Sequence, residues 1–256
     1  MNPDLAIVHG PKEPALWTKT LGSFIDEQAT SFGDRPCVIF PWQSVRLSYG
    51  QLADRSKVLA KAMLEMGLRN GDCVGIMAGN CYQYIEVFLG GARIGCPVVV
   101  LNNTYTPSEL QNASGRSGKL QNVESSAAFA DSIEACKLIF IASSIGSRDL
   151  SGHIKALRGD SDQNSVLPEL RRLVCLGNGN HEPGGVEIQS YSTFASNGHS
   201  VFMNDCVLKR AEDAVIPEDV LNLQFTSGIK ACPLICQNCQ TKFSCQEPPA
   251  LPRQPC

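Results

Sequence analysis

Val98-Val99-Val100-Leu101 is an unbroken run of aliphatic residues. Successive side chains of a strand point to opposite faces, so a strand of this composition has no face left for water. It belongs in a sheet covered on both sides, and such sheets are parallel, with helices packed on each face. The remaining sequence supplies candidate helices. Ser48-Tyr49-Gly50-Gln51 is a capping-box pattern that predicts a helix to Met66, with Leu52, Leu59, Ala62, Met63 and Met66 as its buried stripe. Gly67 suits the left-handed stop. Leu16 to Phe32 reads as an amphipathic helix, and Asn80 reads as the cap of a helix through Arg93. Thr106-Pro107-Ser108-Glu109 starts another helix, with Pro in its first turn. Strands are expected over Cys37–Phe40, Val45–Leu47, Asp72–Met77, Cys136–Ala142 and Arg172–Leu176. This alternation predicts an α/β layered fold.

At 256 residues, 43% hydrophobic and 18% charged, the chain can bury a core as one large domain or two small ones. A net charge of −3 with no Lys/Arg block argues against a nucleic-acid partner. No apolar run approaches a membrane span. Met1-Asn2-Pro3-Asp4 does not read as a secretory leader, and Arg253-Gln254-Pro255-Cys256 is neither a peroxisomal address nor a prenylation box.

The twelve cysteines are unevenly placed, with five in the last 28 residues. The earlier ones, such as Cys37, Cys73, Cys96 and Cys175, sit in apolar runs and read as buried thiols of a reducing compartment. From Ile229 onward there are five Pro, no Gly and no helix or strand periodicity, so residues 229–256 read as a Cys/Pro-rich disordered tail. Cys236 and Cys239 have the spacing of a zinc-ligand pair, but the tail holds no second close pair and no His. Elsewhere, His9, His153, His181 and His199 read as surface loop residues. Asp149 and Asp160 flank a helix candidate as caps, while Tyr82 and Tyr84 at a helix start read as packing residues.

Leu221 to Gly228 carries an apolar strand straight into Thr226-Ser227-Gly228. Taken alone, this is either a plain strand-end turn or the start of a phosphate-gripping loop, where N–H groups and hydroxyls gather as a strand stops. Its order and spacing with other segments narrow the choice. These are Leu47-Ser48-Tyr49, Gly71-Asp72-Cys73-Val74-Gly75-Ile76, Gly91-Ala92-Arg93-Ile94-Gly95-Cys96, Leu101 to Pro107 and Lys137 to Ala142. Together they resemble the N-terminal part of the adenylate-forming superfamily, close to fungal acyl-CoA synthetases, over Leu16 to Gly228.

The resemblance implies a partial AMP-binding domain over 1–228, with an irregular insert near 115–133. For the intact family it implies an acid–thiol ligase that uses ATP, Mg²⁺ and CoA on a small carboxylic acid, in fungal secondary metabolism, and a cytoplasmic or peroxisomal location. Thr226, Ser227 and Gly228 would meet the ATP phosphates. The family loop continues Thr-Thr-Gly-x-Pro-Lys, whereas this chain continues Ile229-Lys230-Ala231-Cys232-Pro233. The Mg²⁺-binding Glu, the ribose-binding Asp and the catalytic Lys of the family lie further downstream and have no counterpart here. The expectation is therefore a truncated chain without catalytic residues or metal ligands of its own. It would be a non-catalytic remnant or a partner-binding fragment, with an open sheet edge prone to aggregation or chaperone binding.

Both irregular stretches admit an intron reading. Gly118-Lys119-Leu120 can be encoded with an embedded splice donor, Ile133-Glu134 with an acceptor, and Gly228-Ile229 with a second, weaker donor. Sequencing the message across both places is expected to find a spliced form that lacks these codons. A mature message that retains both segments, with no spliced form, would refute this reading.

Overall fold

A computed structural model describes residues 18–116, 135–159, 167–177, 185–200, 204–226 and 234–239, with the backbone alone for residues 116, 225–226 and 234–239. The chain begins with α1 (Leu21–Phe32), the hairpin strands β1 (Pro36–Phe40) and β2 (Val45–Ser48), and α2 (Tyr49–Glu65). Next come β3 (Val74–Met77), α3 (Tyr82–Arg93), β4 (Val98–Val100), α4 (Pro107–Arg116) and β5 (Leu138–Ile141). A small hairpin, β6 (Ser144–Ile145) and β7 (Arg148–Asp149), leads to α5 (Ser151–Arg158) and β8 (Arg172–Cys175). The last elements are β9 (Glu187–Ser190), α6 (Tyr191–Asn197), α7 (Asp205–Asp213), β10 (Val220–Thr226) and β11 (Leu234–Cys239).

The main sheet has seven strands in the order β11-β10-β4-β3-β5-β8-β9. All neighbours are parallel except β11, which runs antiparallel to β10. The apolar runs are explained by two cores, one on each face. Val74 and Ile76 of β3, Val98 of β4, Leu138 and Phe140 of β5, and Val174 of β8 enter the first core. Met77, Val99, Ile139, Ile141, Leu173 and Cys175 enter the second. The period-2 alternation is therefore present but hidden, because both faces are apolar. Helices α2, α3, α6 and α7 cover the first face, while α4 and α5 cover the second. Phe140 meets Phe194 of α6 edge-on, with ring centres 5.4 Å apart at 87°. A smaller core of Ile25, Val38, Leu47, Leu52 and Leu89 lies under the β1–β2 hairpin.

Several local signals act as the sequence suggests. Ser48 and Gln51 form the capping box of α2, and Gly67 takes φ +95 after it. Thr106 and Glu109 exchange hydrogen bonds at the start of α4. Gly91 faces the Cys96 carbonyl so closely that a Cβ would sit 2.9 Å from it, which excludes any side chain there.

Other expectations are corrected. Helix α1 starts at Leu21 rather than Leu16, because the Thr20 hydroxyl accepts from Ser23 N at 3.2 Å and ends the extended segment there. Asn80 does not cap α3. Gln43 does so from the turn between β1 and β2: its Oε1 accepts from Tyr82 N at 2.9 Å and its Nε2 donates to Gln83 Oε1 at 3.0 Å. His153 is a buried residue of α5, not a surface loop residue. His199 is exposed, as expected, while His9, His181 and Asp160 lie outside the described residues. The segment after Ile229 includes a strand, β11, which pairs with the outer edge of β10. Among the described residues β11, not β10, is therefore the outermost strand on that side of the sheet. Of the expected insert near 115–133, Gly115 and Arg116 are the last residues of α4, and the rest lies outside the described residues.

Two buried ionic clusters fix the helices of the first face. The Arg93 side chain is fully inaccessible. Its guanidinium donates to Asp26 Oδ1 at 2.6 Å and Oδ2 at 3.0 Å, to Glu212 Oε1 at 2.6 Å, and to Ser56 Oγ at 2.8 Å. One side chain of α3 thereby ties down α1, α2 and α7. Burial pushes the Asp26 carboxyl up, but the bonds and charges of Arg93 and Lys57 outweigh it and hold the group below its ordinary value. Its contribution is therefore complete above the ordinary Asp value and is lost as pH falls through the lowered one. In the second cluster Glu86 is only 2% exposed, 2.5 Å from Arg55 Nε, and accepts from the Tyr191 hydroxyl. Burial raises the Glu86 pKa despite both partners.

Arg93→Ala leaves Glu212 without its guanidinium partner and Asp26 with Lys57 alone, with an expected loss of about 3–5 kcal/mol in urea denaturation at neutral pH. A loss under about 1 kcal/mol, the range of an exposed pair, would contradict this role. Gln43→Ala uncaps α3, with an expected cost of about 1 kcal/mol and faster hydrogen exchange at the Tyr82 amide. Unchanged exchange there would show that Gln43 is not the effective cap.

Candidate functional site

Parallel strands all end on one edge, and ligands of open α/β sheets bind in the crevice outside that carboxyl edge. Here the segments after β3 and β4 diverge around a cavity of about 610 Å³, which β10 flanks through Gln224. Phe40, Trp42 and Tyr84 provide aromatic wall, while Asn80, Asn103 and Gln224 provide amides. A second hollow of about 350 Å³ shares Trp42 and residues 78–81 with it and extends to Ser143 and Gly177 after β5 and β8. Trp42 stands between the two, 66% exposed. Its indole is nevertheless held, since Nε1 donates to the Asn80 carbonyl at 3.0 Å and the ring meets Phe40 edge-on at 5.3 Å. The sequence alone assigns Trp42 no role. An exposed Trp beside an amide-rich segment becomes a signal only once the β1–β2 hairpin is placed against the sheet edge.

The segment after β4 forms one wall and is fixed from both ends. Asn102 Oδ1 accepts from Thr104 N and from Thr104 Oγ1, each at 2.9 Å. Arg148 donates to the Asn103 carbonyl and, at 2.7 Å, to the Tyr105 carbonyl. His153 Nε2 lies 2.7 Å from the same Tyr105 oxygen. A carbonyl only accepts, so Nε2 carries the hydrogen, and both lone pairs of that oxygen are used. Nδ1 is buried with no partner among the described residues. Leaving such an atom unpaired costs about 1–3 kcal/mol, so His153 holds this wall at an expense.

The chemistry of the lining is neutral. Burial pushes up the Cys81 thiol and the Tyr84 phenol. A thiol of raised pKa stays protonated and is a poor nucleophile. Tyr82 stacks under Arg55 at 5.0 Å, consistent with a packing role. No group of three metal-ligating side chains occurs among the described residues.

Thr226 is the last residue of β10, two beyond Gln224, which pairs with Val100 at the end of β4. The backbone thus brings Thr226 to the crevice edge, whereas Ser227 and Gly228 lie outside the described residues. A triphosphate with its metal needs cationic and oxygen ligands, and the described lining has neither Lys, Arg, Asp nor Glu. The described part of the lining does not by itself fit magnesium–ATP. Cys236 and Cys239 lie on β11, where an extended backbone separates them by roughly 10 Å rather than folding them into a zinc-type turn.

Comparisons agree with this architecture. The acyl-CoA ligase SID4 of Ajellomyces capsulatus is 38% identical over 224 residues, 88% of this chain and 34% of the relative. The acyl-CoA ligase sidI of Aspergillus fumigatus is 35% identical over 228 residues, with the same coverage of both chains. The chain therefore spans about a third of the length of the curated relatives it matches. In structure it is similar to the N-terminal domain of FACL13 from Mycobacterium tuberculosis, with a TM-score of 0.61 at 18% identity, covering 87% of this chain and 44% of that one. The anthranilate CoA ligase AuaEII in complex with anthranoyl-AMP gives a TM-score of 0.61 at 15% identity, covering 88% and 35%. These two likenesses concern the fold alone. The AMP-binding enzyme family matches residues 25–233, and the chain belongs to that family.

Proposed function

We propose that this chain is the opening portion of an ATP-dependent acid–thiol ligase of fungal secondary metabolism, and that the 256-residue polypeptide is itself catalytically inert. In the intact enzyme a carboxylic acid, ATP and CoA would be the substrates, and Thr226, Ser227 and Gly228 would face the phosphates. The compartment would be cytoplasmic or peroxisomal. The family match and the fungal acyl-CoA ligase relatives support the first half of this reading.

The uncharged lining supports the second half. Joining a carboxylate to a nucleotide phosphate brings two anions together, and the rate depends on positive charge preset at the point of contact. The crevice offers no such charge among its described residues. What remains is a binding surface, with Trp42 and Ile39 both more than half exposed, and this supports a non-catalytic fragment that associates with a partner or a chaperone.

Pyrophosphate release, measured with ATP, Mg²⁺, CoA and a panel of aliphatic and aromatic carboxylic acids, tests the proposal. No release above the protein-free rate is expected. Turnover that depends on the acid would overturn the inert reading.

A further inference from the structure

We propose that the crevice beside β3, β4 and β10 takes the uncharged, ring-bearing part of a small ligand and rejects free carboxylates, with Arg148 and His153 as positioning residues for its polar wall. The inference rests on reading the carboxyl edge as the binding site, and it names the chemistry that this site selects.

The aromatic side is preorganised. Trp42 is 66% exposed while its Nε1 is held by the Asn80 carbonyl and its ring sits at 87° to Phe40. A ring laid against it meets a wall already in place, so little side-chain freedom is lost on binding. The polar side is equally suited to a neutral group. The side-chain amides of Asn80, Asn103 and Gln224 line the cavity, and none makes a hydrogen bond to another described residue. Amides donate and accept, and so match a carboxamide or another neutral polar group. A carboxylate would have to shed water beside a lining that contains no described cation.

Arg148 does not line the cavity. Its guanidinium is directed to the Asn103 and Tyr105 carbonyls, and His153 adds a donor to the second of these. Three N–H groups thus fix two backbone carbonyls of the segment that presents Asn102 and Asn103. Nδ1 of His153, buried and without a partner among the described residues, is the cost of that arrangement. Lysine cannot reproduce the fork of Arg148, because an ammonium is a single point of donation. Glutamine at 153 keeps a donor that can reach the Tyr105 carbonyl, whereas leucine keeps only bulk.

The test uses the full-length, isotope-labelled chain and the indole N–H resonance of Trp42, with benzamide and benzoate as probes of equal ring size. Benzamide is expected to shift that resonance and to bind at least about tenfold more tightly than benzoate. Arg148→Lys and His153→Leu are expected to weaken benzamide binding at least about fivefold, while His153→Gln stays within about twofold. A purely structural role would lower the thermal midpoint of these variants without changing the amide-to-carboxylate ratio. Should His153→Leu fail to fold, Arg148→Lys carries the comparison. Equal affinity for both probes, no shift with millimolar benzamide, or unaltered binding in Arg148→Lys would each overturn the proposal. Binding and pyrophosphate release are separate readouts, so the failure of one reading leaves the other standing.

Discussion

The guanidinium of Arg93 has no contact with water, and its charge is balanced by Asp26 from α1 and Glu212 from α7. A buried cation is tolerable only when its partners are held in place, so the positions of these helices are interdependent. Helix α3 is the common member. Its C-terminal end carries Arg93, its middle carries Glu86 of the second cluster, and its N-terminal end presents Cys81 and Tyr84 to the crevice. The geometry of the site is thus set at the opposite end of the helix as well as by its own residues. Close packing adds to this: Gly91 leaves no room between α3 and the Cys96 carbonyl, so the helix cannot ride further from the sheet without losing that contact.

The crevice follows from the sheet. Strands buried on both faces have only their ends to offer to a ligand, and the parallel arrangement gathers these ends on one edge. At that edge the chain places aromatic rings and amides. The charged residues are spent elsewhere: Arg55, Arg93, Lys137 and Arg172 are all paired with carboxylates. Arg148 is near the site but is used to hold main-chain carbonyls. An edge of this kind suits neutral ligand parts. It is not suited to anionic chemistry with the residues described.

Family membership and the present geometry therefore speak to different things. The match over residues 25–233 reflects the layered fold and the strand that leads to Thr226. The relatives are about three times as long as the segment shared with them. Electrostatic stabilisation of a reacting phosphate is a property of a complete constellation, and parts of it contribute little singly. Belonging to the family is compatible with an inert fragment for that reason.

Much of the fold was legible in the sequence because its signals are local. Ser48 and Gln51, Gly67, and Thr106 with Glu109 each act within a few residues, and the run from Val98 to Leu101 implies cover on both faces whatever the neighbours are. The cap of α3 was not legible, because Gln43 reaches Tyr82 across 39 positions and Asn80 is the more obvious local choice. His153 was misread for a similar reason: its surroundings are small and polar in sequence, yet α5 turns it toward the Tyr105 carbonyl. The sequence by itself determined the elements from α1 to β5, with β8 and β10, their alternation and the family, since these depend on periodicity and short-range hydrogen bonds. Only the tertiary structure decided which side chains meet at the crevice and that they meet without a charge among the described residues, because long-range pairing, not local preference, consumes the cations.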